Sequence, residues 1–265
     1  MFSTMRSAFP LTTVIVALAA NACAAHEARP VANVATTLGC AGGVVRTAAD
    51  AARFGACEGI DGDLRIASSE LSDLSALSGL RRISGKLEID GNSELDDLSG
   101  LEQLQQVGSL SIHDNAELDD LSGLQNLSGV RDVEISGNAE LASLRGLEGL
   151  TRVETLVIAH NGLYQATGLA NLTDVGELVV TDNPKLNSLH GLGSLAHARS
   201  VEIRNNPRLC ARGMLPALTH VDHDLSLSSN RGLSQPDVRR LLSRIEHDLA
   251  RPSSDGTARL EASLP

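Results

Sequence analysis

The sequence predicts a β-rich solenoid of about eight coils, each of 22–24 residues. Three observations predict it: a constant repeat length, a constant pattern of apolar positions, and an Asn five residues after each repeat begins. A period of about 20–30 residues is typical of solenoids, in which each repeat packs only against its neighbours. The repeats begin at Leu64, Leu87, Leu110, Val133, Leu156, Leu178, Val201 and Leu225.

The spacing of apolar residues predicts the conformation along each coil. In the second repeat, Leu87 and Ile89 alternate with charged residues, which is the periodicity of a β-strand. From Leu95 to Val107 the apolar residues recur at every third position. A regular α-helix would drift off that pattern, whereas short 3₁₀ turns or extended corners keep it. We therefore expect little α-helix on the return side of the coils.

The repeated Asn predicts a structural ladder. A side-chain amide at this turn can bond the backbone of its own coil and of its neighbour. One coil alone buries too little apolar area to offset the entropy of ordering its backbone, so the coils must fold as a stack. The expected ladder residues are Asn92, Asn115, Asn138, Asn161, Asn183, Asn206 and Asn230, while the first repeat has Ser69.

Residues 1–22 are predicted to be a secretory signal peptide. A short apolar run follows one Arg, is too short to span a membrane, and precedes small residues. Residues 20–22 fit an ordinary A-x-A cleavage site, whereas Cys23 directly after them resembles the lipid-carrying Cys of a bacterial lipoprotein. Lipidation at Cys23 and free secretion both stay open. Residues 23–39 have no period and are interpreted as a tether.

Composition excludes several classes of partner. Loss of residues 1–22 removes one of 22 basic residues and none of 33 acidic ones, which changes the net charge from −11 to −12. Nucleic-acid binding needs clustered Lys and Arg, and an anionic lipid surface would repel this chain. We therefore expect membrane association only through a lipid anchor. Aromatic residues make up 2% of the chain, which disfavours carbohydrate binding because sugars usually stack on rings.

The first coil of a solenoid exposes an apolar end that must be capped. Residues 40–63 are interpreted as this N-terminal cap. Cys40 and Cys57 would form a disulfide there in an oxidising compartment. Metal binding is disfavoured, because no His or second Cys pair stands at zinc spacing.

The repeat solenoid is predicted to span residues 64–233. In residues 234–250, Pro236 and Asp237 mark a helix start, and apolar residues follow at helical spacing. This segment predicts a C-terminal capping helix. Residues 251–265 lack any such pattern and are predicted to be a disordered tail.

Cys40 and Cys57, with the patterns Ile-x-Gly-Asp-Leu-Arg-Ile at 60–66 and Ile-x-Gly-x-Leu-x-Ile at 83–89, resemble the receptor L domain family. That family is a branch of the leucine-rich repeat group and includes the ligand-binding halves of the insulin and epidermal growth factor receptors. The resemblance covers about residues 40–233. It implies a right-handed, β-helix-like solenoid with a disulfide N-terminal cap. The regular coils look most similar to the bacterial members.

The sequence departs from the family and repeat patterns at two places, and each departure leads to a prediction. Residues 206–210 are similar to the last coil of such domains, where a Cys pairs with a downstream one. No Cys follows Cys210, so we expect a buried reduced thiol or an unexpected partner. The fifth repeat is one residue shorter and has Ala166 at a core position, and we expect Tyr164 to fill the space.

The outward strand positions are the surface that repeats in register, with neighbours about 4.8 Å apart. They combine an acidic half with an apolar patch, and solvent-facing Val in a polar sheet is a candidate contact site. The candidate binding residues are Glu88, Asp90, His113, Glu134, Val157, Ala159, Val179 and Glu202.

Catalysis and metal binding are not expected on this face. Its carboxylates would lie in a flat row rather than in a loop that wraps an ion, so no metal site is predicted. Asp90, His113 and Ser136 share one row in the order of an acid–base–nucleophile relay. Coils without insertions build no water-excluding pocket or oxyanion site, so we interpret that order as chance. We expect no cofactor and no enzymatic activity.

The sequence therefore predicts a non-catalytic, extracytoplasmic module that recognises another protein at a bacterial cell envelope through its strand face. A structural or adhesive envelope component is the alternative. A β-helix enzyme acting on polysaccharides is more remote, because such enzymes carry long loops over a cleft. The sequence predicts neither the identity of the ligand nor the oligomeric state.

Overall fold

The computed structural model describes residues 39–67, 70–211, 214–249 and 259–261. They form a parallel β-solenoid of about 8 turns with a disulfide near one end and an α-helix near the other, which confirms the predicted fold class. The predicted signal peptide and Cys23 lie outside the described residues.

Strands and helices follow one another in chain order through the stack. The strands are β1 (Gly39–Val45), β2 (Gly59–Ala67), β3 (Arg82–Asp90), β4 (Gln106–His113), β5 (Asp132–Ser136), β6 (Arg152–Ala159), β7 (Asp174–Thr181), β8 (His197–Arg204), β9 (His220–Val221), β10 (Asp224–Ser228) and β11 (Arg259–Glu261). The α-helices are α1 (Ala48–Phe54), after β1, and α2 (Gln235–Leu249), after β10.

Each strand pairs in parallel with the strand one coil earlier, and β9 adds a short pairing beside β8. The register matches the predicted repeat starts: Leu64 pairs with Leu87, and the same alignment continues to Leu225. Gly43 in β1 pairs with Leu64. The segment interpreted as a cap therefore contains its own strand, in line with the coils that follow.

Between β2 and β10, the described residues of the return side form turns and two short 3₁₀ helices, Ser75–Leu77 and His190–Leu192, as the three-residue spacing predicts. The apolar positions of the second repeat, from Leu87 to Val107, are at most 5% exposed. Neighbouring coils approach closely at Gly123, where φ is +111° and an added Cβ would lie 2.0 Å from the Leu98 carbonyl oxygen. Only glycine fits at such a point.

Seven buried Asn side chains form a continuous hydrogen-bonded ladder. The Asn115 Oδ1 accepts from the backbone N–H of Asn92 at 3.1 Å and from its Nδ2 at 2.9 Å. The Nδ2 of Asn115 donates to the carbonyls of Ile89 and His113 and to the Oδ1 of Asn138. Every ladder Asn is at most 1% exposed. These contacts are needed because a buried polar group without a partner costs about 1–3 kcal/mol.

The residue before each ladder Asn has a left-handed backbone, with φ between 53° and 72°. Glycine adopts this conformation readily and Asp or Asn tolerate it, whereas other residues are strained there. The repeated turn thus imposes a conformational requirement that the apolar pattern alone does not indicate. The residues concerned are Gly91, Asp114, Gly137, His160, Asp182, Asn205 and Ser229.

A disulfide between Cys40 and Cys57 closes the N-terminal coil, with their Cα atoms 5.9 Å apart. Helix α1 lies between them and begins with a capping box: Thr47 accepts from the Asp50 N–H, and Asp50 accepts from the Thr47 N–H. The pKa of Asp50 is lowered, chiefly because the Arg46 N–H also donates to this carboxylate and then because of the Thr47 hydroxyl. The ionised Asp50 side chain therefore holds the helix start in place.

Helix α2 caps the other end, with Val238, Leu241 and Ile245 buried against the stack. The guanidinium of Arg244 donates to the carbonyls of Met214, Leu215 and Pro216 at 3.2–3.3 Å. These bonds tie the helix to residues 214–216 of the stack.

Three described residues fall within the segment predicted to be a tail. Arg259–Glu261 forms β11 and pairs in parallel with β10. A terminal strand such as β10 leaves backbone N–H and C=O groups open to pairing, so a short segment can add to it without an apolar pattern of its own.

The expected core position of Tyr164 and the expected burial of Cys210 are wrong, whereas the Cys210 thiol is free as expected. Tyr164 does not fill the core beside Ala166: it is 50% exposed, and the Lys185 Nζ lies 5.8 Å from its ring centroid. Leu163 occupies the core instead, because the deletion in this coil brings it into the apolar position. Cys210 is an exposed free thiol that donates to the Asn187 carbonyl, since it follows the buried Leu209 on the outward side of the turn.

Candidate binding face of the strands

The outward side chains of β2 to β10 form a continuous surface, here called the outer face. Its central row runs across the sheet with one residue from each coil, and all of these residues pair in register. From the N-terminal side, the row is Arg65, Glu88, Ser111, Glu134, Val157, Val179, Glu202 and Ser226.

A second row lies two residues further along each strand. Together the two rows contain all eight candidate binding residues predicted from the sequence, and the structure places them on one side of the sheet. The second row is Ala67, Asp90, His113, Ser136, Ala159, Thr181, Arg204 and Ser228.

Four side chains at the N-terminal end of the outer face form an ionic cluster: Arg65, Glu88, Asp90 and His113. The Arg65 Nε lies 3.3 Å from Glu88, and its terminal nitrogen donates to Asp90. The His113 Nδ1 lies 3.1 Å from Asp90 and its Nε2 lies 3.5 Å from Glu88. Each carboxylate therefore sits between a guanidinium and an imidazole.

The ionic cluster favours the charged form of its arginine. The hydrogen bond to Asp90, and then the charge of Glu88, hold the pKa of the Arg65 guanidinium above its usual value. Lys86 adds a second cation, with its Nζ 4.0 Å from Glu88. Although the sequence predicts an acidic half, the carboxylates at this end are largely neutralised by neighbouring cations.

Glu88, Asp90 and His113 could each offer one ligand atom to a metal, and these atoms lie within 4.8 Å of one another. This geometry differs from the flat row of carboxylates that the sequence suggests, because the imidazole bridges two adjacent strands. Arg65 already pairs with both carboxylates. A divalent cation would have to displace that guanidinium or bind beside its positive charge.

The arrangement does not support the relay suggested by the order Asp90, His113 and Ser136. In an acid–base–nucleophile relay, one ring nitrogen faces a carboxylate and the other faces the nucleophile. Here both ring nitrogens of His113 face carboxylates, Asp90 and Glu88. His113 is therefore not positioned to take a proton from Ser136.

The centre of the outer face is apolar. Val157 and Val179 are adjacent in the central row and partly exposed. Ala159 differs from its predicted solvent-facing role, since it is only 9% exposed. The accessible apolar contact surface therefore consists of the two valines.

Charged residues flank this apolar centre on both sides. Glu134 is exposed next to Val157, and Glu202 lies next to Val179 and pairs with Arg204. Ser111, between Glu88 and Glu134, is only 2% exposed. The outer face thus has a small apolar centre between two charged ends.

Arg65 and Arg204 also lie on the outer face, but they are not among the candidate binding residues predicted from the sequence. Both form ion pairs with candidate residues. Arg65 could have been found by its offset, because it stands 23 residues before Glu88 and therefore faces it one coil away. The Arg204–Glu202 pair joins alternate residues of one strand, a spacing that places both side chains on the same face.

Comparison with known proteins identifies one family. Residues 56–146 match the family model described as receptor L domain, which is about a third of the chain and lies within the predicted region of resemblance. No curated protein matches the chain. No helix among the described residues is both long and apolar enough to cross a membrane. Over residues 56–146, the chain is similar to the receptor L domain, a non-enzymatic, receptor-type ligand-binding module.

Proposed function

We propose that this protein is a non-catalytic recognition module that binds another protein through the outer face. The observation that carries the proposal is the pair Val157 and Val179, partly exposed at the centre of a continuous strand surface and flanked by charged residues. Protein interfaces commonly have an apolar core within a polar, solvent-accessible rim.

The shape and composition of the outer face favour a protein ligand. A ladder of strands presents a broad surface with neighbours about 4.8 Å apart, which suits an extended partner surface better than a small molecule. The two rows of the outer face contain no Phe, Tyr or Trp on which a sugar ring could stack. The similarity to a receptor-type ligand-binding module supports the same conclusion.

We place this activity outside the cytoplasm, at a bacterial cell envelope. The Cys40–Cys57 disulfide supports an oxidising compartment, and the sequence pattern of residues 1–22 supports secretion. Lipidation at Cys23 would anchor the protein to a membrane surface, whereas cleavage without lipidation would release it.

The test is capture of partners from an envelope extract by the full chain, compared with a Val157→Glu, Val179→Glu double variant. Two carboxylates at the apolar centre would have to be desolvated on binding, so we expect loss of the captured partner. Both side chains face outward, and a thermal melt should show a folded variant with Tm close to that of the wild type.

Val44→Glu provides the matched control. Val44 lies in the line of the central row, is 37% exposed, and is five strand spacings from Val157, roughly 24 Å away. We expect this variant to capture the partner as the wild type does. Equal capture by all three proteins would place the site elsewhere, and no capture by any of them would favour the structural or adhesive role.

A further inference from the structure

A second surface runs along the turns that follow the ladder Asn residues, and is here called the turn ridge. Its backbone is stacked in register, because each N–H in this row from Asp119 onward donates to the carbonyl one coil earlier at 2.9–3.4 Å. The row is Asp96, Asp119, Ala142, Tyr164, Asn187 and Cys210.

The turn ridge changes its charge from one end to the other. Its N-terminal half carries five exposed carboxylates, and its C-terminal half carries three cations at or beside the same turn positions. The carboxylates are Glu94, Asp96, Glu117, Asp119 and Glu140, and the cations are Lys185, Arg208 and Arg231. Tyr164, half exposed, lies between the two halves.

Within the described part of the chain, none of these eight charged side chains belongs to an ion pair. This contrasts with the outer face, where Glu88, Asp90 and Glu202 are paired with arginines. Lys185 lies over the Tyr164 ring, which carries no charge. Each charge of the turn ridge can therefore pair with an opposite charge on another molecule.

The two halves are arranged symmetrically about Tyr164. The coil with Glu117 stands two coils before the Tyr164 coil, and the coil with Arg208 stands two coils after it, each roughly 10 Å away. Glu140 and Lys185 stand one coil away on either side. A twofold rotation about an axis through Tyr164 therefore superimposes acidic positions on basic ones.

We propose that a second copy of this chain docks antiparallel on the turn ridge. The acidic half of each copy faces the basic half of the other, and the two Tyr164 side chains meet near the twofold axis. Such an interface is isologous: Glu117 of each copy faces Arg208 of the other, so every contact occurs twice. Tyr supplies a large contact area at the centre, where hot spots concentrate.

The dimer should be weak and sensitive to salt. From the coil with Glu94 to the coil with Arg231, the turn ridge spans only six strand spacings, roughly 30 Å. An interface of this length buries less area than the ~1,600 Å² of a standard protein interface. Exposed ion pairs contribute little each and are screened when the Debye length falls below their separation. We expect a Kd in the micromolar range or weaker at low salt.

Sedimentation velocity of the full chain at about 20 mM and about 500 mM salt gives the first readout, and the dimer should dissociate at the higher concentration. Glu117→Lys and Arg208→Glu should each raise the Kd by about tenfold or more, because each places like charges together twice. An equimolar mixture of these two variants should recover the wild-type Kd, since the mixed dimer restores opposite charges at both contacts.

Glu58→Lys and Arg81→Glu are the matched controls. Both residues are exposed and adjacent on a different corner of the coils, and they should leave the Kd unchanged. A monomer at low salt, or a dimer that neither reversal weakens, would overturn the proposal. So would a mixture that does not associate. The Val157→Glu, Val179→Glu variant should still dimerise, so this test is separate from that of partner recognition.

Discussion

The Asn ladder and the outer face come from the same coils, but the residue type is constant along the ladder and varies along the outer face. The ladder position is Asn in seven consecutive coils, whereas the central row of the outer face changes from Arg to Glu, Ser and Val. A buried position in a stack meets a copy of itself about 4.8 Å away, so its side chain must be complementary to itself. An amide meets this condition because it both donates and accepts, whereas a carboxylate or an ammonium would repel its neighbour. Residues of the outer face meet solvent and can vary.

This comparison predicts that Asn138→Ala causes the largest loss of stability. The substitution leaves the buried Asn115 N–H without its acceptor and removes three donor contacts, to Ile112, Ser136 and Asn161. We expect a loss of about 4 kcal/mol in the free energy of unfolding, measured by urea denaturation.

Asn126→Ala is the matched control, because this exposed amide makes one bond, to the Glu102 carbonyl. We expect a loss of at most about 1 kcal/mol. Equal losses in the free energy of unfolding for the two variants would mean that burial in the ladder does not increase the contribution of the amide to stability.

Asp50 sharpens the comparison, because it is a partly exposed residue, outside the buried ladder, with a structural role. Its pKa in the folded state is lowered, so its ionised form stabilises the fold above the unfolded pKa of about 3.9. That contribution is lost as the pH falls through the folded value. We therefore expect Asp50→Ala to lower Tm at pH 7, and the difference from the wild type to shrink as the pH falls below the unfolded pKa and through the lowered folded one.

Tm measured across this pH range for both proteins checks the sign of the effect. Asp73, whose pKa is also lowered, is common to both proteins and does not contribute to the difference between them. A difference in Tm that stays constant from pH 7 to acid would show that ionisation of Asp50 is not what holds helix α1.

We expect the smallest change in stability for Ser136→Ala. Ser136 stands two residues before Asn138 in the same coil, but its side chain lies on the outer face and is partly exposed. We expect the free energy of unfolding to change by less than about 0.5 kcal/mol in the same urea experiment. A loss comparable to that of Asn138→Ala would show that the outer face also holds the stack together.

Much of the fold could be predicted because the same apolar pattern recurs in eight repeats of the sequence. The strand register from Leu64 to Leu225 follows from apolar spacing alone, and so does the absence of α-helix among the described residues between β2 and β10. Expectations failed where the pattern occurs once. A deletion places Leu163 rather than Tyr164 in the core, and Cys210 is exposed beside the buried Leu209.

The sequence by itself determined the periodic features of this protein: the coils, their register and the positions of the Asn residues. A repeated residue must fit against its own copies, so its environment can be inferred from its spacing. Only the tertiary structure decided how single residues combine across coils. Arg65, Glu88, Asp90 and His113 come from three coils and form one cluster because parallel pairing brings positions about 23 residues apart into contact. The orientations of these side chains depend on which neighbours they meet, and a repeat pattern does not specify them.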